Sequence, residues 1–349
     1  MTASISALLL DWYDAHARSL PWRNPPGLPP PDDPDWPYRV WLSEIMLQQT
    51  TVAAVKPYFA KFVERWPTVE SLAQAEDEEV MAAWAGLGYY SRARNLIKAA
   101  RQVAAQGGFP GTESELRKLP GLGAYTAASV AAIAFGERAV VVDANVERVV
   151  ARLFAIDEPL PGARKAIRAK AETITPENRA GDFAQAMMDL GSQICTTRSP
   201  RCLLCPLSHP CEARKTGEPG RLPVKPAKQA KPERRGMAFW IERDGANEAE
   251  VWLVTRPGKG LLAGMRALPD DGWNAGRDGS GKPPLEGEQV RQGSVRHGFT
   301  HANLVLDVVT LRDAGQPSGK GEWWPIERLE EAGLPTLFAK AARLALARE

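Results

Sequence analysis

Apolar residues recur at the period of an α-helix from Val40 to Trp66, with Trp41, Ile45, Val52, Val55, Phe59, Phe62 and Trp66 on one face. Gln48 and Gln49 interrupt that stripe where core is expected. Pro57 predicts a break or kink, because it removes one intrahelical donor. Alanine-rich helical patterns run from Thr68 to Gln106, broken at Gly86-Leu87-Gly88-Tyr89-Tyr90, and again from Glu147 to Ile194. Residues 1–23 hold a short helix ending in Leu20-Pro21-Trp22-Arg23, and Gly27 to Pro37 is a proline- and aspartate-rich loop. Beyond residue 236 the period shortens: Met237 to Glu242, Glu250 to Thr255 and Leu304 to Leu311 read as strands, followed by a helix near Leu337 to Ala347. The pattern predicts a mainly α domain over 1–215 and an α+β domain over 237–349. Between them, 216–236 lacks periodicity and carries Arg221, Lys225, Lys228, Lys231, Arg234 and Arg235. It reads as a basic, semi-rigid linker.

The segment Leu116 to Val130 reads as helix, glycine hairpin, helix. Thr112 and Glu115 form a capping box for the first helix, Pro120 and Gly121 stop it, and Gly123 is expected to allow the turn into the second. The amides of Gly121, Gly123 and Ala124 then have no partner inside the second helix and suit one phosphate. The plain alternative is an ordinary helical hairpin.

Length and charge narrow the picture. At 349 residues the chain can bury two cores, and no apolar run is long enough to span a membrane. Ile5 to Trp12 is interrupted by Asp11 and lacks a preceding basic residue, so it reads as an amphipathic helix and not a signal sequence. A net charge of +2 requires any nucleic-acid affinity to come from a local patch. The four cysteines form Cys195-x6-Cys202-x2-Cys205-x5-Cys211, a clustering that suits a metal site in a reducing compartment. Zinc accepts four thiolates, but its usual layout has two Cys-x-x-Cys pairs. The uneven spacing, with Pro206 behind Cys205, suits a cubane iron–sulfur cluster better.

Glu44 sits among apolar and amide side chains in Trp41 to Thr50, where burial would keep it protonated near neutrality, as a general acid requires. Asp143 closes the apolar run Ala139 to Val142, with Asn145 two residues on. Together they suit acid and anion-stabiliser roles in cleaving a glycosidic bond. The competing reading is a helix-surface Glu and an N-cap Asp. Tyr89 and Tyr90 suit a wedge into a base stack, Gln49 and Thr50 suit the gap left by an extruded base, and Arg92 and Arg94 suit phosphates.

The Leu-Pro-Gly-x-Gly hairpin at 119–123, the Val-Asp-x-Asn run at 142–145 and the four cysteines together resemble the helix-hairpin-helix DNA glycosylases that carry an iron–sulfur cluster, and among them the branch acting on adenine. Leu9 to Tyr13, Leu20 to Arg23, Trp41 to Thr50, Gly86 to Asn95, Leu119 to Thr126, Val142 to Arg148 and Gln185 to Cys211 match the signature segments in order. The resemblance implies a helix-hairpin-helix glycosylase domain with a [4Fe-4S] module at 195–211, held by Cys195, Cys202, Cys205 and Cys211, and a C-terminal Nudix-like domain. It implies removal of adenine mispaired with 8-oxoguanine or guanine in double-stranded DNA, by a monomer in the cytoplasm associated with the nucleoid.

Residue by residue, the resemblance implies that Glu44 protonates adenine N7 and Asp143 stabilises the sugar cation, with Tyr125 and Asn145 supporting them. Arg18, Trp22, Val52 and Gln185 would line the adenine pocket. Gln49, Thr50, Leu87 and Tyr89 would fill the stack, Gly121 and Gly123 would hold a phosphate, and Arg198 to Arg201 would lie on a DNA-binding loop. Phe299, Thr300 and His301 stand where the family usually has Phe-Ser-His to read the oxidised base. Tyr125 replaces the lysine that forms a Schiff base in endonuclease III proteins, which implies a monofunctional glycosylase. The C-terminal part lacks the glutamate-rich helix of a nucleotide-pyrophosphate hydrolase, and the Gly27 to Pro37 insertion departs from the family pattern. Two competing functions are an endonuclease III-like enzyme for oxidised pyrimidines and a non-catalytic, cluster-bearing DNA-binding protein.

Overall fold

A computed structural model describes residues 4–226, 230–245, 248–257, 260–312, 315, 317 and 320–347. Lys228 of the expected linker lies outside the described residues. The helices are α1 (Ile5–His16), α2 (Trp36–Leu47), α3 (Val52–Arg65), α4 (Val69–Gln74), α5 (Asp77–Ala83), α6 (Ser91–Ala105), α7 (Glu113–Leu116), α8 (Ala124–Phe135), α9 (Ala144–Leu153), α10 (Arg164–Ile174), α11 (Ala180–Gln193) and α12 (Glu212–Lys215). Then come β1 (Glu233–Asp244), β2 (Ala249–Thr255), β3 (Arg266–Ala267), β4 (Glu288–Gly298), β5 (Asn303–Arg312), β6 (Gly321–Pro325) and α13 (Thr336–Leu346). By internal packing they form a helical unit, 1–74 with 98–228, and a mixed unit, 75–97 with 229–349.

In the helical unit α8 is the central element: every residue from Thr126 to Ala134 is buried. Its small side chains let neighbours approach to backbone distance. Gly181 of α11 faces the Ala132 carbonyl so closely that a Cβ there would overlap it. Gly191 does the same against α9, where a Cβ would lie 2.6 Å from Asn145 Cβ.

The long stripe from Val40 breaks in a different place from the one its proline predicts. α3 runs through Pro57, and the interruption falls at residues 48–51. There Gln49 adopts φ 61°, and Thr51 accepts the Ala54 N–H at 3.3 Å to cap α3. Pro57 costs α3 a single donor, whereas a left-handed residue followed by a cap ends a helix.

The hairpin also differs in detail. Its first helix is only the four residues of α7, capped by Thr112, whose hydroxyl accepts the Glu115 N–H at 3.3 Å. The left-handed turn residue is Gly121 (φ 78°), whereas Gly123 is extended (φ −77°) and caps α8.

Residues 216–226 are not a free spacer. Leu222 is buried, its carbonyl accepts from Arg152 Nε at 2.9 Å, and the Val224 carbonyl accepts the Leu160 N–H at 2.9 Å. No helix among the described residues is long and apolar enough to cross a membrane.

The mixed unit is built on a sheet of order β3-β2-β1-β5-β4, with β6 also on β2 and with β1 and β5 parallel. α13 packs Leu337, Phe338, Ala341 and Ala345 into a core with Ala238, Trp240, Leu253, Leu306 and Val308. Phe239, Ile241, Val309 and Leu311 form a smaller cluster. Covered on both faces, β1 and β5 read as apolar runs. β4 escapes the strand pattern because among its eleven residues only Val295 is buried. α5 and the start of α6 belong to this unit by packing, so the helical stretch 75–97 sits with the strands and not with the helices around α8.

Candidate active site

One cleft of about 1070 Å³ in the helical unit gathers most of the residues singled out by sequence: Arg18, Trp22, Glu44, Gln49, Thr50, Val52, Gly121, Gly123, Tyr125, Asp143, Asn145 and Gln185. Glu44 lies on α2, Tyr125 in the first turn of α8, and Asp143 and Asn145 around the start of α9.

Glu44 is 5% exposed and accepts at Oε2 from the Tyr125 hydroxyl (2.5 Å) and the Ser129 hydroxyl (3.1 Å). Burial pushes its pKa up; those hydroxyls and Arg23 pull it down, Asp143 adds to the rise, and the net direction is up. Tyr125 is pushed well above its ordinary value by burial and by the carboxylates beside it, so its phenol stays a donor.

Asp143 is an N-cap and a site residue at once. Oδ1 accepts the Val146 N–H at 2.7 Å, and Oδ2 accepts from Asn145 Nδ2 at 2.9 Å. Burial pushes Asp143 up and these bonds work against it, again with a net rise. The two acids therefore shift the same way, and what differs is their partners. Asp143 receives a fixed amide at the positive end of α9, whereas Glu44 receives two rotatable hydroxyls on one oxygen. Asn145 Oδ1 in turn accepts from Arg148 Nη2 at 2.9 Å, and Arg148 Nε donates to the Cys195 carbonyl at 2.7 Å.

Behind the cleft wall lies a group the sequence did not signal. Asp189, fully buried on α11, accepts from both Arg18 and Arg23. Trp22 packs edge-on against Phe59 at 5.0 Å, and buried Gln185 donates to the Gly181 carbonyl at 3.3 Å. Ser129 was also missed, because a small polar residue inside an apolar helix carries no periodic signal, whereas Gln48, which the sequence showed interrupting the apolar stripe, donates to Thr126 Oγ1 at 3.1 Å.

The remaining predicted residues lie elsewhere. Tyr89, 48% exposed at φ 49°, lines a second cavity of about 290 Å³ in the mixed unit together with Phe299, Thr300 and His301. The Thr300 hydroxyl lies 3.4 Å from the Tyr89 hydroxyl. Leu87 and Tyr90 are buried, so neither offers a surface to a base stack. Arg92 is buried with its guanidinium donating to the Leu87 and Gly88 carbonyls at 3.1 and 3.2 Å, and Arg94 donates to the Ala263 carbonyl. Arg92 therefore holds the 86–90 turn, and Arg94 ties α6 to the Ala263 carbonyl. Gly121, Gly123 and Ala124 are exposed at the cleft, as a phosphate site requires.

Cys195, Cys202, Cys205 and Cys211 are unpaired and line one small cavity with Ile194, Pro200, Arg152 and Arg214. Among the described residues no three His, Cys, Asp or Glu side chains meet at the spacing of a single ion. Arg152 Nη1 donates to Cys195 Sγ at 3.3 Å, and burial pushes the Cys205 thiol up to about 12. An all-thiol set around one cavity, with a guanidinium on one sulfur, suits an anionic cluster of the iron–sulfur type.

A family model described as HhH-GPD superfamily base excision DNA repair protein matches residues 42–176, and a NUDIX domain model matches 237–344. The adenine DNA glycosylase of Homo sapiens is 34% identical over 402 residues, covering 96% of this chain and 73% of that protein. That of Buchnera aphidicola subsp. Schizaphis graminum (strain Sg) is 36% identical over 350 residues, 95% of each chain. That of Mycolicibacterium smegmatis (strain ATCC 700084 / mc(2)155) is 39% identical over 256 residues, 70% of this chain and 84% of the relative. A thermostable thymine-DNA glycosylase structure aligns at a TM-score of 0.53 and 31% identity, over 60% of this chain and 95% of that one. With relatives of this identity along nearly its whole length, the chain belongs to the adenine DNA glycosylase family of base excision repair, and is a DNA N-glycosylase.

Proposed function

We propose that the chain takes adenine out of A:8-oxoguanine mispairs, and more slowly out of A:G, by flipping the base into the cleft and hydrolysing its N-glycosidic bond. The observation that carries this reading is Glu44, buried in a cleft it shares with Asp143, bonded to Tyr125 and shifted towards its protonated form. Glu44 gives its proton to adenine N7, the C1′–N9 bond breaks with its electron pair going to the base, and Asp143 stabilises the resulting sugar cation. Water adds at C1′ and gives its proton to the Glu44 carboxylate, which restores the acid. Tyr125 holds Glu44 and Asn145 holds Asp143; Arg18, Trp22, Val52 and Gln185 enclose the base. With Tyr125 where a Schiff-base lysine would stand, the strand is left uncut.

DNA is engaged on the backbone by the amides of exposed Gly121, Gly123 and Ala124, and Gln49 and Thr50 fill the gap. Phe299, Thr300 and His301, next to Tyr89, read the oxidised base; the catalytic part is 1–215 and the reading part 237–349. Cys195, Cys202, Cys205 and Cys211 would hold a [4Fe-4S] cluster, whose contribution is to anchor the 195–211 segment. Exposed Arg198 and Arg201 then face the phosphate backbone.

The test is single-turnover base release on duplexes carrying A:8-oxoguanine, A:G, A:T and an oxidised pyrimidine, each developed with and without alkali. Adenine release opposite 8-oxoguanine and guanine only, with strand breaks appearing only after alkali, is expected. Release of the pyrimidine with spontaneous breaks would move the chain to the endonuclease III-like function, and binding without release to the non-catalytic one.

A further inference from the structure

Asp189 has no exposed surface and does not itself line the cleft. It accepts from two arginines that do. Oδ1 takes Arg18 Nε at 2.6 Å and Arg23 Nη2 at 2.9 Å; Oδ2 takes Arg23 Nη1 at 2.7 Å and the Arg18 backbone N–H at 3.2 Å. The Arg23 contact is fork on fork, which fixes a planar guanidinium in orientation as well as position. Arg23 is nearly as buried, with a side chain 7% exposed, and lines the same cleft as Glu44, whose carboxyl its charge pulls towards the ionised form. A guanidinium left unpaired in such a place would draw the proton off a neighbouring carboxyl.

We propose that Asp189 is a positioning residue for base release, fixing Arg23 in the cleft wall and offsetting its charge so that Glu44 keeps the proton it delivers. The inference rests on Glu44 as the general acid. The groups acting on Glu44 are the Tyr125 and Ser129 hydroxyls from α8, Asp143 from the start of α9, and Arg23 from the segment before α2. Asp189 acts through Arg23. Burial works to raise the Asp189 pKa, but the bonds from Arg23 and Arg18 outweigh it and hold the carboxyl below its ordinary range, so it is an anion whenever the enzyme works. Neutralising it removes an anion and frees a cation, and both changes favour the Glu44 carboxylate.

The pH dependence of single-turnover adenine release tests this with Asp189→Asn, Asp189→Glu, Arg23→Gln and the Asp189→Asn/Arg23→Gln pair. In Asp189→Asn the falling alkaline limb should move down by about one pH unit, so that release on that limb is about tenfold slower at a given pH and recovers on acidification. Asp189→Glu, which keeps the charge, should leave the limb in place. The paired variant should return it towards the parent position, because the uncompensated cation is gone. A limb unmoved in Asp189→Asn, with a uniform loss at every pH, would reduce Asp189 to packing and overturn the proposal; so would a shift that persists in the pair. If Asp189→Asn fails to fold by circular dichroism, Arg23→Gln answers alone: its limb should move up, and an unmoved limb overturns the proposal. Glu44→Gln separates the two levels, since full release with an unchanged limb in that variant removes the general acid itself and the inference with it.

Discussion

Glu44 and Asp143 carry what is most sensitive to a single atom. Glu44→Gln keeps an acceptor for Tyr125 and Ser129 but removes the proton donor, so adenine release should vanish while duplex binding persists; unaltered release would remove Glu44 from the chemistry. The same substitution has a stability sign. Burial raises the Glu44 pKa in the fold, so its neutral form stabilises below the ordinary carboxylate pKa, and that contribution is lost as pH rises through the folded value. Glu44→Gln should therefore melt higher than the parent at alkaline pH by about 2 to 4 °C per kcal/mol recovered, and no higher at low pH. Melting curves at two pH values decide it, and equal midpoints at both would show that the buried carboxylate carries no cost. Glu44 was legible as an acid because a carboxylate interrupts an apolar face; Asp189 was not, because an acid on a helix reads as surface until its two arginines, more than 160 residues earlier, are seen beside it.

At the level of elements the site depends on how closely helices approach. Gly191 lets α11 lie against the first turn of α9, where Asn145 holds Asp143. Gly191→Ala would place a Cβ 2.6 Å from Asn145 Cβ, and overpacking of this kind costs about 1 to 3 kcal/mol. It should lower the thermal midpoint and slow base release more than it weakens duplex binding, because the displaced group carries Asp143. Unchanged kinetics would mean that α9 accommodates the methyl without moving the acid. The glycine hairpin located α8; helix periodicity located α2 and α3, where apolar residues recur at its spacing. It failed at residues 48–51, where one left-handed Gln49 and one capping Thr51 decide the break, and at β4, whose single buried residue leaves no alternation to read.

For the whole molecule the boundary of the helical unit matters most. The segment 217–226 packs on the helical unit, where the Leu222 carbonyl accepts from the fully buried Arg152. A chain ending at Pro226 keeps that contact and should release adenine from A:G while losing its preference for 8-oxoguanine. A chain ending at Thr216 should in addition melt lower, since a buried guanidinium loses an acceptor worth about 1 to 3 kcal/mol. Retained preference in the Pro226 truncation would refute the role of Phe299 to His301. Iron and acid-labile sulfide assays on protein purified without oxygen are expected to give four of each per chain, as a [4Fe-4S] centre requires. One zinc and no sulfide would assign the four cysteines to a mononuclear site.

Local chemistry written into the chain determined the helix faces, the hairpin, the cysteine spacing, the strands β1, β2 and β5, and the pair of acids, because periodicity and spacing act over a few residues and need no partner. Tertiary structure alone decided the rest. It made Asp143 a cap and a site residue together, and buried Leu87, Tyr90 and Arg92 in the turn they were expected to expose. It docked half of the apparent linker and placed Asp189 between two arginines. Each of these depends on which distant surface excludes water from a given side chain, and that is a property of the packed chain and not of any stretch of it.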